Sequence, residues 1–145
     1  MTTRRTLGFM AMVFILAFTA CAGGKQDIQQ YFSNAADKVK ATDNPSEKRQ
    51  ILSESFQTMA SALDMAQDVP SMSANDLAGI HQLRIALQEK QDELAGHNGY
   101  VRVSDERLNA FSDYVVQDME QADQVITISL ITLLLVLILV VLLIK

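Results

Sequence analysis

Apolar side chains return every three or four positions from about residue 25 to residue 124, and the strict alternation of a strand is absent. The stretch is therefore predicted to be helical nearly throughout. A first helix, roughly Lys25 to Lys40, carries Ile28, Phe32, Ala35 and Val39 on one face with Tyr31 beside them, and the run Asp43, Asn44, Pro45, Ser46 breaks it. In a second helix Leu52, Phe56, Met59, Leu63 and Ala66 alternate spacings of four and three. Ser46 with Glu47 is read as its capped, acidic first turn, and Pro70 with the polar run that follows ends it. A third helix is predicted from Asn75, with Ile80, Leu83, Leu87 and Leu94 as its stripe, until Gly96, His97, Asn98 and Gly99 impose a turn. The fourth begins at Ser104, beside Asp105 and Glu106, and shows Leu108, Phe111, Val115, Met119, Ala122 and Ile126.

Nothing between Glu120 and Leu130 interrupts a helix, so the fourth is expected to run as one rod into the most apolar part of the chain. Val125 to Ile144 holds no charge and is closed by Lys145. Twenty such residues match a hydrocarbon layer of roughly 30 Å, so residues 125–144 are expected to form a transmembrane helix. Within it Thr127, Ser129 and Thr132 are tolerable in lipid, because each hydroxyl can bond a carbonyl one turn earlier. A proton path or pore is not expected, since the span contains no ionisable group.

At the other end, Arg4 and Arg5 precede the apolar run Leu7 to Phe18 and then the small residues Thr19 and Ala20, the composition of a secretory signal. Phe18-Thr19-Ala20-Cys21 resembles the lipobox of bacterial lipoproteins, with Phe18 where that family usually has Leu. The resemblance covers residues 1–21. It implies cleavage between Ala20 and Cys21, with a diacylglycerol on the Cys21 thiol. Cys21 is also the single cysteine of the chain, so an internal disulfide is excluded and stability must come from packing. The resulting organisation is a signal peptide at 1–20, a lipidated cysteine and tether at 21–24, an extracytoplasmic helical body at 25–124, and the span at 125–144.

Four amphipathic helices with short connections hide their stripes most simply as an antiparallel up-down-up-down bundle, so the expected fold class is all-α. An even helix count returns the chain to the side it left, which would put Cys21 and Val125 against the same membrane. Laid end to end instead, about 100 helical residues would reach roughly 150 Å, towards a second membrane.

Charge narrows the partners. Losing residues 1–20 takes Arg4 and Arg5 away, so the formal net charge of −5 becomes −7, which disfavours nucleic acid. His81, on a helix flank, and His97, in a turn, read as surface histidines, and Glu89, Asp92 and Glu93 beside Lys90 read as an ordinary solvated helix face. No nucleophile motif or phosphate loop is present, so neither an enzyme nor a cofactor or metal site is expected. Met59 lies on the second stripe and is assigned to the core. Met65 and Met72 lie off it and are candidates for contact with a partner. Tyr31, Tyr100 and Tyr114 are ambiguous between core and head-group level.

Three functions fit these features. The first is an envelope lipoprotein whose bundle is a docking or scaffold module at the inner membrane, with another envelope protein as partner. The second rests on the order of anchors, which is similar to that of the unimolecular spanins that phages use to join inner and outer membranes during lysis; no motif in residues 22–124 adds to that similarity. The third is a sensor bundle that moves its last helix when a small molecule binds. Because the first helix is short and its stripe the weakest, a second copy of the chain is a further candidate partner.

Overall fold

The computed structural model describes residues 26–126 and 128–144. The signal peptide 1–20, the cleavage site at Ala20 and Cys21, and the tether 21–24 lie outside the described residues.

The described chain is all-α. Helices α1 (Gln26–Ala41), α2 (Pro45–Gln67), α3 (Ala74–Ala95), α4 (Leu108–Val125) and α5 (Leu130–Ile144) follow one another, with a short 3-10 turn, Asp105–Arg107, leading into α4. The caps explain the boundaries and correct two sequence expectations. Asn44, not Ser46, caps α2: its side chain accepts from the Ser46 N–H at 3.0 Å, and Pro45 occupies the first turn, where a missing N–H costs nothing. Ser73 caps α3 by accepting from the Asp76 N–H at 3.1 Å. Ser104 does precede the fourth helical segment, but its hydroxyl makes no capping bond. That turn is instead fixed by Arg49 of α2, whose guanidinium donates to the Val103 carbonyl, to Asp105 and to the Leu94 carbonyl.

Gly96 ends α3 in the left-handed region at φ 77°, and its N–H donates to the Asp92 carbonyl at 2.8 Å. A Cβ there would lie 2.8 Å from both Arg102 Cβ and the Arg102 backbone nitrogen, whereas Gly99 at φ 87° has open space around it. Gly96→Ala should therefore lose about 1–3 kcal/mol in urea unfolding, from backbone strain and the clash together. Gly99→Ala should lose only about 1 kcal/mol, from φ alone.

Ion pairs set the helix directions. Lys40 near the end of α1 pairs with Asp113 near the start of α4, so these two helices run antiparallel. Asp64 near the end of α2 meets Arg84 of α3 at 2.9 Å, while Arg49 near the start of α2 reaches Leu94 near the end of α3. The beginning of α1, the beginning of α3 and the end of α4 thus share one end of the bundle. The 96–107 segment forms the opposite end. Central α2 packs against α1, α3 and α5, and the most extensive contact joins α1 to α4.

The predicted stripes supply the core. Phe32, Val39, Leu52, Phe56, Met59, Leu63, Ile80, Leu87, Leu108, Val115 and Met119 are all buried. Phe32 stacks edge-on against Tyr31 at 5.0 Å and tilts against Phe56 at 6.0 Å, which joins α1 to α2. Burial pushes the Tyr31 hydroxyl up to about 12, against bonds to Thr58 and to the Ser55 carbonyl.

The continuous terminal rod is not found, so the described chain has five helices where four were counted. Ile126 leaves α4 in an extended conformation, φ −83°, ψ 124°, and the chain turns back to lay α5 along α2. Val125, Ile126, Thr127 and Ile128 are all β-branched, which lowers helix propensity, so a helix is cheaper to break there. No helix among the described residues is long and apolar enough to cross a membrane. α5, with 15 residues, rises about 22 Å.

Candidate functional site

The turn between α4 and α5 is held by a carboxylate from α3. Because Ser73 caps α3, Asp76 sits in its first turn, where a negative charge is favoured. There it also meets the start of α5. Asp76 Oδ1 accepts from the Ser129 N–H at 2.8 Å, and Oδ2 accepts from the Ser129 hydroxyl and the Thr132 hydroxyl, each at 2.7 Å. The Ser129 carbonyl accepts from the Leu133 N–H at 3.0 Å, so Ser129 stands at the N-cap of α5, with its own orphan N–H answered by Asp76. Thr132 has one hydroxyl proton. The Asp76 oxygen at 2.7 Å is a much better acceptor for it than the Met72 sulfur at 3.4 Å.

One carboxylate in the first turn of α3 therefore closes the N-terminus of α5. Asp76 and Thr132 are both buried in doing so. The Ser129 N–H bond is the main influence holding the Asp76 carboxyl below its ordinary range, opposed by burial and helped by the hydroxyls of Thr132, Ser129 and Ser73. A depressed acid pKa contributes stability that is complete above the unfolded value and disappears as pH falls through the folded one. The clasp should accordingly be intact at neutral pH and at pH 5, and α5 amide protons should lose exchange protection only below about pH 3.8. In Asp76→Asn the same amides should be weakly protected across the whole range, with no acid step.

A second buried charge ties α3 to α4. Lys90, only 2% exposed, donates to Glu93 at 2.9 Å, to Asp118 at 2.6 Å and to the Tyr114 hydroxyl at 2.8 Å, and lies 4.1 Å from the Tyr114 ring centroid. Burial alone would lower its pKa. Asp118, Tyr114 and Glu93 together outweigh that and hold it above the ordinary lysine value. Asp92 is buried as well, accepting from Asn98 at 2.8 Å and Gln88 at 3.1 Å. The expected solvated face is thus corrected at Lys90 and Asp92, because the 96–107 segment and α4 fold over it.

Beside this cluster an open groove of about 530 Å³ is lined by Tyr100, Phe111, Tyr114, Val101, Arg102 and Arg107 among others. Arg102 and Arg107 make no ion pair among the described residues, unlike Arg49 and Arg84. The groove offers aromatic surface next to two cations, suited to an acidic group flanked by apolar ones. It lies at the end of the bundle opposite the α1 start.

Of the residues singled out from the sequence, Met59 is in the core, Met65 is 46% exposed near the end of α2, and Met72 is half-buried against Thr132. His81 and His97 are exposed, and no group of His, Cys, Asp and Glu able to hold a metal ion occurs among the described residues. Tyr31 is core, while Tyr100 and Tyr114 border the groove. Sequence reasoning missed Asp76 and Lys90. The Ser73-x-x-Asp76 spacing of an N-terminal cap was legible, but its second partner, 53 residues away, was not.

Fold and site together define an all-α bundle that carries an apolar C-terminal helix on a carboxylate clasp. No family model, curated protein or solved structure matches the chain.

Proposed function

We propose that the protein is a non-enzymatic lipoprotein of the bacterial envelope, a docking or scaffold module on the extracytoplasmic side of the inner membrane. The acyl chains on Cys21 hold it there, with the apolar segment 125–144 as a second attachment, and another envelope protein is its partner. The observation that carries this reading is geometric. The start of α1, which follows the Cys21 tether, and the turn where segment 125–144 begins share one end of the bundle, while the aromatic and arginine groove occupies the other. A body attached through one end presents the opposite end to partners. The two acyl chains of a diacylglycerol already anchor firmly, so a second attachment at the same end serves orientation. The groups with displaced ionisation, Tyr31, Lys38, Asp76 and Lys90, all have partners within the chain, which favours a structural use of each over catalysis.

The test is to insert a protease site after Val101, where that residue is 91% exposed, and to cleave it in membranes of a Gram-negative host. The halves are then separated with urea and followed on a density gradient. Both halves in the inner membrane are expected, with a diacylglycerol on Cys21 in the mass spectrum of the first. The Cys21 half in the outer membrane, with the other half in the inner one, would overturn the reading in favour of a spanin-like bridge.

A further inference from the structure

We propose that α5 is a membrane-insertion helix stored on the bundle, and that the Asp76 clasp is the latch that keeps it out of the bilayer hydrocarbon. This rests on the reading of segment 125–144 as an attachment to membrane, one that is made when the clasp opens; until then the acyl chains on Cys21 hold the protein alone.

α5 has a single polar side chain, Thr132, and no charge. A helix apolar on every side is suited to full burial, in a large core or in lipid. On the bundle it obtains only half of that: Leu133, Val136, Leu137 and Val140 are buried, whereas Ile131, Leu134, Ile138 and Leu142 face outward, Ile131 with 81% of its surface exposed. The docked helix is therefore poorly placed in water and well suited to a bilayer.

The latch follows from counting donors. A helix long enough to span needs about 20 residues, so α5 must extend back through Ser129, Ile128 and Ile126 to join α4. In that continuous helix the Ser129 N–H must donate to the carbonyl of residue 125. On the bundle the same N–H donates to Asp76 at 2.8 Å. One proton cannot serve both acceptors, so the clasped state and the spanning state exclude each other. The two hydroxyls obey the same rule. In lipid Ser129 and Thr132 satisfy themselves on carbonyls one turn back, whereas on the bundle they are satisfied by Asp76. Every polar group the clasp employs has an alternative partner inside the longer helix, and the released Asp76 remains at the start of α3, where water and the Ser73 cap receive it.

The bilayer is also within reach. Residues 21–25 span at most about 17 Å between Cys21 and the first residue of α1, at the bundle end where α5 begins. The acylated cysteine thus brings lipid to the latch.

The experiment uses the full chain with Ile138→Cys, exported in a Gram-negative host; Cys21 is acylated, so position 138 carries the free thiol. Spheroplasts are treated with a membrane-impermeant maleimide. With Asp76 intact, position 138 is labelled. Adding Asp76→Ala should reduce labelling at least tenfold, because position 138 moves into hydrocarbon, and Ser129→Ala with Thr132→Val, which leaves α3 untouched, should reduce it in the same direction by less, because the N–H of residue 129 still donates to Asp76. Ser61→Cys, exposed on α2, should label equally in all backgrounds and reports that the body remains folded. Protection of position 138 with Asp76 intact would overturn the latch while leaving the attachment standing. If that protection came with oxidative cross-linking between 138 thiols, the outer face of α5 would belong to a second copy. Labelling in every variant, together with carbonate extraction of a chain in which residues 1–21 are replaced by a cleavable non-lipoprotein signal, would overturn both the latch and the attachment.

Discussion

Phe56→Ala should remove about 3–5 kcal/mol of unfolding free energy, a large share of the roughly 5–15 kcal/mol that holds a domain folded. Phe56 is fully buried on central α2 and meets Phe32 of α1 at 6.0 Å, which in turn meets Tyr31. Since α2 packs against α1, α3 and α5, the surroundings are held from three sides and cannot collapse into the void. Urea unfolding followed by far-ultraviolet circular dichroism measures the loss. Phe56→Leu, which leaves a smaller gap, should lose about half as much. Equal losses for the two would show that the ring pair, rather than the filled volume, supplies the stability.

The second large effect is expected at Lys90. Lys90→Met keeps the stem's volume but leaves Asp118 and Glu93 without their cation and the Tyr114 hydroxyl without its donor. The expected loss is about 2–3 kcal/mol, less than for a wholly buried pair because Asp118 is partly open to water. Combining Lys90→Met with Glu93→Gln and Asp118→Leu should recover most of it, since the penalty lies in stranded charges. Because the Lys90 pKa is raised, its contribution is complete below the ordinary lysine value of 10.5 and disappears only as pH rises through the folded one. Stability of the unsubstituted protein should therefore hold through neutral pH and fall in strong alkali, with a smaller fall in the triple variant.

These two sites differ in how far the sequence revealed them. Phe56 belongs to a four-three repeat that identifies a buried helix face wherever it occurs. Lys90 sits among Glu89, Asp92 and Glu93, a run indistinguishable from a solvated face until α4 brings Tyr114 and Asp118 over it. Asp76 is the sharper case. Its local role at the start of α3 could be read from Ser73, but its bond to Ser129 joins two segments whose periodicities carry no information about each other.

The sequence by itself determined the helices of residues 26–125, the loops at Asn44 and Gly96, and most of the core, because propensity, capping and periodicity act over a few residues. It also determined that residues 125–144 are an uncharged stretch that water solvates poorly. Only the tertiary structure decided where that stretch breaks and what it lies against. A helix with no polar face is compatible with lipid and with a protein groove alike, and in the folded chain its start is held by a buried carboxylate supplied from another helix. Direction and partner of α5 are long-range properties, set by the packing against α2 and by the one N–H that Asp76 takes out of the α4 to α5 helix.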